Sequence, residues 1–186
     1  MPGKSFIRQL PTGVPGLDAL LCGGISEFSF NLIAGSPGSG KTTLAHQIMF
    51  ALAQPERPAL FFTVLGEPSL KMVRYQQQYG FYDFDKLDSS VRFVNLADEV
   101  VNGDFEQVLA RIIEEVERYE PGLVFVDSFR SVVMAAQSSV GVPALQQFVQ
   151  KLGMHLTSWQ ATTFLIGEYM SVDAEANPVF TIADGV

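Results

Sequence analysis

The stretch Gly35-Ser36-Pro37-Gly38-Ser39-Gly40-Lys41-Thr42 constrains this chain more than any other. It spells G-x-x-x-x-G-K-[S/T] between an apolar, β-rich run at Phe28–Ala34 and a helical pattern at Thr42–Ala53, the setting this motif requires. Glycines let the backbone curl until successive N–H groups point inward at one anion. The helix that follows adds its unpaired N–H groups and the positive end of its dipole. Gly35, Ser36, Pro37, Gly38, Ser39, Gly40, Lys41, Thr42 and Thr43 are therefore expected to cradle nucleotide phosphates. Lys41 supplies a cation for the β- and γ-phosphates, and the Thr42 hydroxyl is a hard oxygen ligand for Mg²⁺. A chance lysine in a glycine-rich turn is the bland alternative, and the strand–loop–helix setting disfavours it.

The rest of the chain alternates in the same way. Strands are predicted at Phe28–Ala34, Leu60–Leu65, Val91–Leu96, Leu123–Asp127 and Thr162–Gly167, and most are continuous apolar runs, as in strands covered on both faces. Helices are predicted at Thr42–Ala53, Ser69–Tyr79, Asp104–Tyr119 and Pro143–Ser158. The third has a clear apolar stripe through Phe105, Val108, Leu109, Ile112 and Val116. This order implies one α/β domain over residues 1–186, with a mostly parallel sheet flanked by helices in three layers. In such sheets ligands lie at the carboxyl ends of the strands.

Two further site residues follow from that rule. Leu123-Val124-Phe125-Val126-Asp127 ends in a carboxylate suited to Mg²⁺ beside the phosphates, although many buried strands end in an Asp that serves only the turn. Hydrolysis needs a group that orients the attacking water. Glu67, just past Leu60–Leu65, is the preferred candidate, with Glu168, just past Thr162–Gly167, as the second. Gly66-Glu67-Pro68 also reads as an ordinary turn.

Composition narrows the partners. The formal net charge is −8, with Lys and Arg scattered singly, which disfavours nucleic-acid binding by the chain itself. No apolar run is long enough to cross a bilayer, and the first residues lack the apolar core of a secretory signal. The single cysteine, Cys22, fits a reducing cytosol. No N-K-x-D motif marks a preference for guanine.

Taken together, the motifs resemble the RecA superfamily, and most closely a KaiC-type ATPase domain. Thr12-Gly13-Val14-Pro15-Gly16-Leu17-Asp18, then Cys22-Gly23-Gly24-Ile25, is similar to the family's lead-in. Val126-Asp127-Ser128 resembles its Walker-B ending, Ala161-Thr162-Thr163 through Glu168 its "A-T-T…[ST]-E" strand, and Ile182–Val186 the start of a late strand. The resemblance implies a RecA-like P-loop NTPase core that takes ATP and Mg²⁺, assembly into a homo-oligomer such as a hexameric ring, and slow hydrolysis. Lys41 and Glu67 form the expected catalytic set, with Glu67 matching the second of the family's two adjacent glutamates and the first being the family's main catalytic base. Two departures stand out. The family carries adjacent glutamates where this chain has Gly66 and Glu67, and its domain normally continues beyond the equivalent of Val186 with a Lys/Arg segment reaching a neighbouring subunit.

Other residues carry plainer readings. Arg130 reads as a local ion-pair partner in a loop leading into Val132–Ser139, and Ser128 either touches the Mg²⁺ shell or caps the strand end. Thr181 falls near the position phosphorylated in clock autokinases, but reads as an exposed strand residue. His46 and His155 lie at no metal-binding spacing. The competing functions are a non-hydrolysing nucleotide switch, then a recombinase-like DNA-binding ATPase, then an autokinase.

Overall fold

The computed structural model describes residues 7–64, 74–101, 105–169 and 179–186. A short antiparallel pair, β1 (Gln9–Leu10) and β2 (Ile25–Ser26), brackets the helical turn α1 (Leu17–Leu20). Then follow β3 (Phe30–Gly35), α2 (Lys41–Leu52), β4 (Ala59–Thr63), β5 (Val91–Asn95), α3 (Ala97–Val101), α4 (Phe105–Tyr119), β6 (Leu123–Asp127), α5 (Phe129–Ser158), β7 (Thr162–Glu168) and α6 (Val179–Ile182). The sheet runs β3-β7-β6-β4-β5, and every pairing in it is parallel.

Alternation along these strands feeds two apolar layers. Phe61, Leu123, Phe125, Phe164 and Ile166 pack against Ala45, Ile48 and Met49 of α2. Leu60, Phe62, Val124, Val126 and Leu165 face the opposite way, against Val108 and Ile112 of α4 and Phe148 and Leu152 of α5. The three-layer arrangement expected from the sequence is present.

Differences lie at element ends and in one helix. Phe28 adopts φ of 64°, outside the strand region, so β3 starts at Phe30 and extends to Gly35. The strand predicted at Leu60–Leu65 runs Ala59–Thr63, and β5 stops at Asn95. The loop expected after Asp127-Ser128 is absent: α5 begins at Phe129 and continues through Pro143. Proline usually opens a helix or breaks one. Here the Ser128 hydroxyl accepts from the Ser131 N–H, so the start is capped well upstream of the proline. The segment around Thr181 is helical, not a strand. A strand-like contact comes three residues later, where Gly185 bridges Asn31 in parallel. The start of the helix expected at Ser69–Tyr79 lies outside the described residues, and positions 74–76 are helical.

The lead-in motif is structural. Asp18 accepts from both the backbone N–H and the hydroxyl of Thr12, at 2.7 and 2.6 Å. These bonds hold its carboxyl below the usual carboxylate range. A Cβ on Gly13 would stand 2.5 Å from the Ala51 side chain, so glycine lets this segment lie directly on α2.

An aromatic ladder crosses the α2 face of the sheet. His46 stacks on Phe61 at 4.4 Å, Phe61 on Phe125 at 5.8 Å, and Phe125 on Phe164 at 4.5 Å between ring centroids. His46 is fully buried, and neither ring nitrogen has a hydrogen-bond partner among the described residues. Burial therefore lowers its pKa from 6.5 to about 3. The unfolded chain binds this proton between those values and the folded chain does not, so the stability present above pH 6.5 is lost as pH falls toward 3. Over that window one such group contributes a slope of about 1.4 kcal/mol per pH unit. His46→Leu is expected to be less pH-sensitive by about that slope between pH 6 and 4, measured as urea-unfolding free energy beside wild type. Equal slopes in the two proteins would refute it.

Candidate functional site

The site lies where β3 ends and α2 begins. Gly38 and Gly40 take left-handed φ of 73° and 88°, and a Cβ on either would meet open space, so the backbone conformation and not crowding calls for glycine. Gly40 occupies the cap position of α2, with no side chain competing for the first N–H groups. At this mouth the Lys41 amine donates to the Ser36 carbonyl at 2.8 Å. The lysine is thus folded over the loop that it closes.

Asp127 reaches the same point from β6. Thr42 Oγ1 donates to Asp127 Oδ2 at 2.6 Å, joining positions 85 residues apart in sequence. Burial pushes the Asp127 carboxyl above the ordinary carboxylate range, and the neighbouring Glu168 charge adds to the effect. The Thr42 hydrogen bond and the Lys41 charge oppose it. A half-buried carboxylate touching a hydroxyl at a helix N-terminus is a hard-oxygen donor set of the kind Mg²⁺ takes, with water completing the shell. The residues present fit that ion.

Glu67 and Gly66 lie outside the described residues. Glu168 closes β7 and pairs in register with Gly35. Ser128 caps α5. The Arg130 guanidinium donates to the Glu168 carbonyl and stands 5.7 Å from the Tyr169 ring centre. Tyr169 is the residue that sequence reasoning passed over. Its place directly after the Glu168 strand end was the available signal.

Fold and donor set together define a RecA-type P-loop α/β domain. The family described as "ATPase: KaiC" matches residues 10–186, and the chain belongs to that family. The DNA repair protein RadA of Mycobacterium tuberculosis is 31% identical over 173 residues, covering 92% of this chain and 33% of RadA. The circadian clock oscillator protein KaiC of Prochlorococcus marinus is 28% identical over 138 residues, covering 69% of this chain and 27% of its own length. This chain thus spans about a third of the length of these relatives. The crystal structure of a KaiC-like protein from Pyrococcus horikoshii superimposes with a TM-score of 0.72 at 25% identity, over 88% of this chain and 72% of that one. Among the described residues no helix is long and apolar enough to cross a membrane.

Proposed function

We propose that this chain binds ATP with Mg²⁺ through the loop Gly35–Thr43 and hydrolyses it slowly, its nucleotide state governing assembly with like subunits or binding of a protein partner. The observation that carries the reading is the 2.6 Å contact between Thr42 Oγ1 and Asp127 Oδ2 at the glycine-capped start of α2. Loop N–H groups would take the phosphate oxygens, with Lys41 leaving Ser36 for the β- and γ-phosphates. Thr42 would hold Mg²⁺ directly and Asp127 through water; the ion, when bound, neutralises charge across those phosphates. A carboxylate at the sheet's carboxyl edge would orient the attacking water; Glu67, which matches the second of the family's two adjacent glutamates, is the first candidate and Glu168 the second. Membership of an ATPase family supports the same reading.

The test is binding of a fluorescent ATP analogue with and without EDTA. Asp127→Asn is expected to weaken Mg-dependent binding by about tenfold, roughly 1.4 kcal/mol, and EDTA is expected to erase the difference. Equal affinities under all four conditions would sink the metal-site assignment. Single-turnover phosphate release then separates an ATPase from a switch that binds without hydrolysing, the alternative raised by Gly66.

A further inference from the structure

We infer that a cleft on the outer side of α2 is a docking site for an arginine side chain carried by a basic protein partner. The inference goes beyond the ATPase reading and holds whether or not the chain turns ATP over. The cleft, of about 460 Å³, lies between Gly13 of the lead-in, the α2 residues Gln47, Phe50 and Ala51, and the segment 80–85. At about 1.5 Å of rise per residue, Phe50 is about 13 Å along α2 from Lys41, so the cleft opens well away from the glycine loop.

Its wall is pinned to the helix. The Lys86 amine donates to the Phe50 and Ala53 carbonyls at 2.7 and 2.9 Å, closing the carboxyl end of α2 with a cation. These bonds tie the helical turn Phe84–Lys86 to α2. The Asp83 carboxylate accepts from the Asp85 N–H at 3.0 Å and caps the same turn. The Phe50 ring meets those of Tyr82 and Phe81 at 5.1 and 6.4 Å between centroids. Aromatic floor and acidic rim are thus held in one arrangement before a partner arrives.

The lining carries one sign of charge. Asp83 and Asp85 belong to it, and among the described residues no Lys or Arg does. Lys86, the neighbouring cation, directs its hydrogen bonds into α2. Phe84 is 67% exposed, an apolar ring left at the surface beside the two carboxylates. Aromatic faces next to carboxylates favour a cation with a flat, weakly hydrated body. A guanidinium meets both demands: its face stacks on a ring and its edge donates in pairs to a carboxylate. An ammonium has no such face. Charge also argues for the source. The chain carries 20 acidic and 12 basic side chains, so two copies repel each other, whereas a basic partner is drawn to this surface.

The probe is the peptide acetyl-Ala-Ala-Arg-Ala-Ala-amide, beside the same peptide with citrulline, which keeps the shape of arginine without its charge. Amide chemical shifts of the isotope-labelled chain report binding, with and without saturating Mg-ATP. The arginine peptide is expected to bind in the millimolar range, shifting residues 47–51 and 80–85, with no effect of Mg-ATP. Citrulline is expected to weaken binding at least fivefold. The double variant Asp83→Asn, Asp85→Asn should do the same at unchanged thermal stability, because Asn at the first position still caps the turn. Phe84→Ala should weaken both peptides alike. Equal affinity for the two peptides, shifts centred elsewhere, or no binding at about 10 mM peptide overturns the assignment. Displacement of the peptide by Mg-ATP would overturn it in favour of the nucleotide. Dimers in sedimentation, with the same shifts appearing on concentration alone, would overturn it in favour of a second copy.

Discussion

Lys41→Ala is expected to weaken ATP binding by about a hundredfold, close to 2.7 kcal/mol, while leaving the fold unchanged. Lys41 is the first residue of α2, and its amine is partnered only modestly, by the Ser36 carbonyl at 2.8 Å. A polyphosphate is a far better acceptor than a neutral carbonyl, and hydrogen bonds to charged groups contribute about 1.5–3 kcal/mol each. The amine has only to swing from the loop to the phosphates that the loop would hold. Removing it costs the folded chain one partly exposed hydrogen bond, so thermal unfolding by circular dichroism should stay close to wild type. AMP provides an internal control, since it lacks the β- and γ-phosphates that Lys41 would meet. Calorimetric titration should show ATP affinity collapsing and AMP affinity nearly unchanged. An ATP affinity equal to wild type would remove Lys41 from the site.

Much of this site was legible because its physics is local. The glycine loop carries its own signature, and β6 ends at Asp127 as expected because four apolar residues followed by Asp leave little freedom in where a buried strand emerges. The contact between Thr42 and Asp127 was legible only in outline, since it depends on β6 lying two strands from β3 with β7 between them, and no spacing in a sequence encodes strand order. Glu168 illustrates the same limit. Its distance from the loop follows from β7 being threaded back beside β3, which places it closer than the strand preceding Glu67. Helix α5 was misread for a different reason. Pro143 looks like a start signal, and a helix packed along one face of a sheet can absorb its cost of about 3 kcal/mol in a way that an isolated one cannot.

Phe125→Ala should cost about 3–5 kcal/mol, the range for truncating a fully buried aromatic side chain. Phe125 is completely buried at the centre of β6, with Phe61 on one side and Phe164 on the other, nearly parallel at 13° and 5°. Its removal breaks the ladder at its middle and leaves a cavity that β4 and β7 cannot close without giving up their pairing with β6. Against a stability of roughly 5–15 kcal/mol that is a large fraction, and urea unfolding should show the midpoint falling sharply. Phe125→Leu refills most of the space and should lose clearly less, giving a graded series even if the alanine variant proves too unstable to purify. The ladder also lies directly beneath α2, and Phe125 precedes Asp127 by two residues on the same face. Loosening it should therefore weaken Mg-ATP binding as well, by disturbing the approach of Asp127 to Thr42. Ligand at a hundredfold above its dissociation constant stabilises the state it binds by about 2.7 kcal/mol. Saturating Mg-ATP should thus restore much of the lost stability in the leucine variant, at a higher nucleotide concentration than wild type needs. Loss of stability with unaltered nucleotide affinity would show that the ladder and the phosphate site are mechanically independent.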